Sequence, residues 1–414
     1  MKRRMPQFNA KSAAQAEPFP GGFDWPASAG PDTAGVMSQI LIHYICLVIL
    51  FAVSFAIFTR EVEGSLESDL LAHINNSKLF GMGRLHSAHT LFYAMSHYVH
   101  QFLNVSVGAA AVTTLMMLQF TIAAIFYALL YHNLRAYYSA GTIAVLTLML
   151  CLVSSVYVPY LSQHFYAGQG TPNVWHNPTS LAAKPFSFLA LILCPLLLET
   201  RKIKVAALLI FVMGFLLCLT SLTKPNFVMA FVPALPVYCL LFHRKQVSPW
   251  VYSFLVCCPL LLILFYQYMQ QYVDNAQTGS VMFRFGSNWE FTPGFLLRIL
   301  LLPLFPLVTL VMYPKILSNR LFSLSLIAFG IAVIQSCTLA ESGNRFAHGN
   351  FSWGKLIIAP MLFVVSLEEL MRNVKIYGDK KNRCKQGVIA SVFLMHLGSG
   401  ILYIKSLLYT GLSY

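Results

Sequence analysis

Apolar stretches long enough to cross a bilayer recur between residues 37 and 409 of this 414-residue chain, and that recurrence limits the fold more than any motif does. A helix of about 20 residues spans the hydrocarbon layer, whereas an outer-membrane barrel would show shorter, alternating segments. Only 10% of residues are charged against 57% apolar or aromatic, and the mean hydropathy is +0.66. The chain is therefore expected to be all-α, a polytopic transmembrane helical bundle. Its spans are placed at about 37–59, 104–131, 137–159, 184–199, 205–223, 226–243, 248–270, 294–313, 321–339, 353–371 and 387–409, about eleven in all.

Basic residues set the expected orientation, because Lys and Arg stay on the cytoplasmic side during insertion. With the N-terminus inside, 18 of the 28 Lys and Arg fall in cytoplasmic segments, including Arg135, Lys202, Arg244, Arg320 and the run from Arg372 to Lys385. The net charge of +14 is then a topology signal and an attraction to anionic membrane lipids, with no nucleic-acid signature in it. Residues 1–36 carry Pro, Gly, Ala and Ser without apolar periodicity and read as a disordered cytoplasmic tail ahead of a membrane domain over 37–414. The basic start is not followed directly by an apolar core, so the first span reads as a retained anchor in the plasma membrane. The nine cysteines fall in spans or on the cytoplasmic side and behave as small apolar residues.

In this topology three polar segments face the same, external, side. The first, residues 60–103, is too long for a simple connection and is predicted to carry interfacial helices. Four-residue spacing puts Asp69 and His73 one turn apart on one helix face. Its histidines at three-residue spacing and the acid-x-acid pair of Glu67 and Asp69 leave room for a divalent cation, but the residues require no cofactor. A second segment, 168–179, groups Trp175, His176 and Asn177. Trp175 reads either as a sugar-stacking platform or as an interfacial Trp, and Asn177 as a ligand or an Asx turn before Pro178. The third, from Glu341 to Trp353, brings Arg345 and His348 as anion binders, with Glu341 either at the site or in an exposed pair with Arg345. Lys224, in Thr-Lys-Pro-Asn between two apolar runs, either reaches the headgroups from a tight turn or contacts a phosphate.

A first span, a long external loop carrying an early acid, and many further spans joined by polar external loops resemble the GT-C class of integral membrane glycosyltransferases. The closest local match is Glu-Ser-Asp-Leu-Leu-Ala-His-Ile at 67–74, although the chain lacks an Asp-Asp or a clear Asp-x-Asp there and has no large soluble external domain. The resemblance implies a polyprenyl-phosphate-linked sugar as donor, a hydroxyl acceptor and Asp69 as the base, beside His73. Independently, hydroxyl attack on an anomeric carbon needs a base near the acceptor and cations where the phosphate departs, which suits Asp69 with Arg345, His348 and Lys224. No phosphate-cradling Gly loop for a nucleotide donor is present. A polysaccharide polymerase or ligase, a lipid-linked-sugar flippase and a secondary transporter remain the alternatives; the last would call for ionisable groups at the midplane, where His396 lies.

Overall fold

The structure is a computed structural model describing residues 33–66, 68–85, 87–161, 170–273, 279–286, 295–343, 346, 349–376 and 380–410. Without water to bond them, backbone N–H and C=O groups inside a membrane must pair within the segment, so each apolar run coils into a helix. The described residues form fourteen: α1 (Thr33–Val62), α2 (Leu70–Gly81), α3 (Leu91–Leu103), α4 (Val107–Leu134), α5 (Ala140–Leu152), α6 (Pro178–Glu199), α7 (Ile203–Thr223), α8 (Asn226–Phe242), α9 (Val247–Tyr268), α10 (Phe295–Leu301), α11 (Leu304–Met312), α12 (Arg320–Thr338), α13 (Trp353–Ile376) and α14 (Lys380–Tyr409). Two three-residue strands, β1 (Val281–Phe283) and β2 (Leu339–Glu341), pair antiparallel with Val281 opposite Glu341.

The all-α bundle agrees with the sequence expectation. Among the described residues seven helices are long and apolar enough to cross a membrane, and α5 and α8 are apolar but shorter, so the chain is a multi-pass membrane protein. The bundle is built around α13, whose residues from Gly354 to Leu367 are all buried against α12, α6, α8, α11 and α4. At the other extreme, α1 leaves Leu41, Tyr44, Val48 and Phe51 exposed, a surface that lipid would cover. The first polar segment, 60–103, holds the expected helices: α2 and α3 pack on each other and on α4, and Asn104 turns the chain between α3 and α4 in the left-handed region at φ 51°.

Several boundaries depart from the sequence reading: α6 and α14 start earlier than expected and α13 ends later, and three further departures bear on how the chain packs. The first helix begins at Thr33, inside the segment read as a tail, whose residues 1–32 lie outside the described residues. The span expected over 137–159 stops at Leu152, and the chain runs on extended. Its N–H groups find acceptors on other elements: Ser154 N donates to His396 O, Val156 N to Leu301 O and Tyr157 N to Ser399 Oγ. Gly400 makes this approach possible, since a Cβ there would stand 1.7 Å from Leu152 O. The run expected over 294–313 is divided into α10 and α11 at Leu302–Pro303, because proline has no N–H to continue the ladder. The imidazole of His396 mends that break, Nε2 accepting from Phe305 N at 3.2 Å while Nδ1 donates to Ser154 O at 2.6 Å.

The bundle has two chemically different ends. At one end Arg320 pairs with Glu199 at 3.1 Å and lies over Phe242, joining the start of α12 to the ends of α6 and α8. Lys375 lies over Tyr138, and Arg372 and Asn133 both donate to Glu368. At the opposite end the starts of α6, α8 and α13 meet the ends of α7, α9 and α12, and there a cavity opens.

Candidate functional site

The cavity has a volume of about 440 Å³ and is walled by α2, the segment before α3, the α6 start, the α7–α8 turn, the end of α9, both strands and Asn350 and Phe351. That size suits a small polar headgroup. The end of α9 opens into a π-helical turn, Met269–Val273, which presents Gln271 and Tyr272 to the space. Gln267 closes the wall behind them, donating to Ala88 O at 3.0 Å and Ser221 O at 2.9 Å and accepting from Ser221 Oγ at 2.7 Å.

Asn177 organises one pole. It caps α6 with Pro178 at the first helical position, and its Oδ1 accepts from Ser180 N at 2.9 Å and Thr179 Oγ1 at 3.1 Å. Lys224 Nζ donates to the same oxygen at 2.9 Å. Three donors on Oδ1 fix which way the amide faces, so Nδ2 points at Asp69 and donates to Oδ2 at 2.9 Å. A carboxylate and an ammonium are thereby held on either side of one amide.

Asp69 stands at the N-cap of α2 but makes no side-chain bond to that helix; Ser68 Oγ accepts from Leu70 N instead. Its carboxylate is thus exposed into the cavity at a helix N-terminus, where negative charge is favoured. One turn on, His73 Nδ1 bonds Tyr93 Oη at 3.0 Å, its ring stacked on Tyr93 at 5.6 Å, and Asn76 Nδ2 reaches the same hydroxyl at 3.3 Å. Burial draws the His73 pKa down to about 4, against the pull of Asp69 and with the push of Lys224, so this imidazole is neutral at physiological pH.

Lys224 ends α7 in an extended conformation ahead of Pro225, which starts α8 anew. Its Nζ stands 3.7 Å from the centroid of Trp353, a cation–π contact supplied by the first residue of α13. Burial lowers its pKa to about 7, and Asp69 opposes the fall. Near neutrality it therefore exists in both forms, and a bound anion would favour the charged one.

A second pole lies on β2. Glu341 is 3% exposed and lines the cavity, its Oε1 accepting from Tyr272 Oη at 2.5 Å and its Oε2 from Asn350 Nδ2. Asn350 O accepts in turn from Asn226 Nδ2 at 2.7 Å, which ties this pole to the Lys224 turn. Glu341 is therefore buried and not on the surface, since strand pairing with β1 draws it inward; the pair with Arg345 that the sequence offered lies outside the described residues.

Of the residues singled out in the sequence, Asp69, His73, Asn177 and Lys224 share the cavity wall. Trp175 and His176 do not line it. Trp175 is buried at 2% exposure with its ring 5.9 Å from Phe58, and serves as core. His176 is equally buried, its Nδ1 bonded to Tyr403 Oη at 3.1 Å and its ring edge-on to Trp353 with centroids 6.4 Å apart; burial draws its pKa down to about 4. It supports the tryptophan on which Lys224 rests. Arg345 and His348 lie outside the described residues.

Sequence reasoning passed over Tyr93 and Tyr272, and gave no role to Asn226 and Asn350 inside the polar segments that hold them; the four become neighbours only through the fold. It gave no role to Glu61, at the start of the 60–103 segment. The structure places it in the last turn of α1 with its side chain fully buried and neither oxygen bonded among the described residues. Among the described residues no group of three His, Cys, Asp or Glu side chains is arranged to hold a metal ion. Comparison of the chain with known protein families and with curated proteins gives no match.

Proposed function

We propose that this membrane protein is a glycosyltransferase of the GT-C type, which moves a sugar from a polyprenyl-phosphate donor to a hydroxyl acceptor at the external face of the plasma membrane. The observation that carries this reading is the Asp69–Asn177–Lys224 chain, a base and a cation held one amide apart on the wall of a cavity at one end of the bundle. The opposite end gathers Arg320, Arg372 and Lys375, which by the positive-inside rule supports a reading with the N-terminus in the cytoplasm and the cavity outside.

In the reaction, Asp69 accepts the proton of the acceptor hydroxyl as its oxygen forms the new bond to the anomeric carbon. The bond from that carbon to the phosphate oxygen breaks, and the lipid phosphate leaves with the electron pair. Lys224 stabilises the charge that develops on the phosphate. Asn177 is the positioning residue: one end of its amide orients the carboxylate and the other fixes the ammonium. Neutral His73 and Tyr93 line the carboxylate's side of the cavity and add a hydrogen-bonding edge there. By the sequence reading Arg345 and His348 add cationic donors for the phosphate.

Purified protein in lipid nanodiscs, given a polyprenyl-phosphate sugar and a hydroxyl acceptor, should yield a glycoside and free polyprenyl phosphate. Movement of a solute or a lipid-linked sugar across the bilayer with no covalent product would overturn the reading.

A further inference from the structure

The proposed reaction uses the Lys224 pole and leaves Glu341 without a task. A carboxylate in the wall of a site meant for a phosphate opposes that phosphate by charge, so its presence needs a reason. It is also built in. Tyr272 and Asn350 each donate to one of its oxygens, and strand pairing with β1 fixes its backbone. The chain enters this pairing at Gly279, φ +82°, where a Cβ would come within 2.4 Å of Ser342 O. Beside the carboxylate, the Tyr268 and Tyr272 rings stand 5.3 Å apart and line the same space, as does Phe351.

We infer that Glu341, with the faces of Tyr268 and Tyr272, forms a subsite for the hydroxyls of a sugar, and that it orients the donor with its phosphate at Lys224 and its ring at β2. Three physical points converge. A carboxylate has about four acceptor positions and no donor, so it bonds sugar hydroxyls through charge-assisted hydrogen bonds. Aromatic rings offer apolar faces for the C–H side of the same ring. The negative charge of Glu341 repels phosphate from this end, just as Lys224 attracts it at the other, so the two poles together admit one orientation of a sugar phosphate. The hydrogen-bond path Asn226–Asn350–Glu341 keeps both poles in one rigid frame. This inference rests on the proposed donor class, and the two are separable by experiment.

The probes are citronellyl phosphate, its glucosyl, galactosyl, mannosyl and N-acetylglucosaminyl esters, and the corresponding citronellyl glycosides without phosphate. Binding is measured to the full chain in phosphatidylcholine nanodiscs. For wild-type protein at least one ester should bind more tightly than citronellyl phosphate, by about 10- to 100-fold, the range expected for hydrogen bonds to a charged group. Glu341→Gln should abolish that increment while citronellyl phosphate still binds at least as tightly as to wild type. Glu341→Asp, which keeps the charge on a shorter arm, should retain part of it. Retention of the whole increment in Glu341→Gln, an equal fall for both ligand classes, or no increment for any sugar in wild type would each overturn the subsite. If citronellyl phosphate fails to bind wild type but a citronellyl glycoside binds in a Glu341-dependent manner, the subsite stands and the phosphate donor falls.

Discussion

Among the polar side chains held inside this apolar fold, the Asp69–Asn177–Lys224 chain and the crossing at His396 are satisfied in opposite ways. His396 is fully buried, and both ring nitrogens are bonded to main-chain groups that helix breaks would otherwise leave without partners. Phe363 closes its edge at 4.9 Å. Its bonding capacity is used up within the fold, as expected of a structural residue. Asp69 and Lys224, in contrast, bond chiefly to another side chain and face a cavity, so they can exchange those partners for a ligand. A midplane histidine in the sequence is thus a weaker sign of transport chemistry than it looks, and a lysine at a helix break is a stronger sign of a site.

The sharpest way to break this contrast is at Asp69. Asp69→Asn keeps size and loses basicity, and should lower transfer by about 10²- to 10⁴-fold with little change in thermal unfolding. Unchanged turnover would remove Asp69 as the base. His396→Leu should do the reverse, costing about 1–3 kcal/mol for each backbone group left unpaired, Ser154 O and Phe305 N, as read from thermal or denaturant unfolding. If its stability were unchanged, the two regions would not differ as described.

Lys224 separates the two properties by pH. Its lowered pKa means the charged form is lost as pH rises through about 7, so lipid-phosphate affinity should fall above that pH. Stability moves the other way. Between about 7 and the ordinary lysine value of 10.5 the unfolded chain binds more protons than the folded one, so this residue makes the fold more stable as pH rises. Affinity that stays level from pH 6 to 9 would show that the ammonium is not the phosphate's partner. Asn177→Asp, which removes the amide donor to Asp69 and sets a second carboxylate in its place, should slow transfer. The smallest effect belongs to the far end: Arg320→Gln removes a pair whose side chains are 40% and 49% exposed, and should change stability by less than about 1 kcal/mol.

Much of the architecture was legible because its cause is local. An apolar run of sufficient length has only the helix available in lipid, and the spacing of Asp69 and His73 puts them on one turn wherever the helix goes. Lys224 stood out because a cation beside a proline in an apolar stretch demands a partner. The break at Leu302–Pro303 was less readable, since proline is tolerated inside α6, α8, α9 and α13. Whether a proline divides a span depends on what receives the freed backbone groups, and here that is His396, far away in sequence.

By itself the sequence determined that the chain is a helical membrane bundle and which polar segments are available for chemistry, because hydropathy and charge act on each segment separately. Only the tertiary structure decided which of those segments meet. It sent Trp175 and His176 into the core, turned Glu341 inward on a strand, and made Asn177 the amide between a carboxylate and an ammonium. Those outcomes depend on contacts between residues more than forty positions apart, whose partners are set by how the helices pack and not by any local pattern.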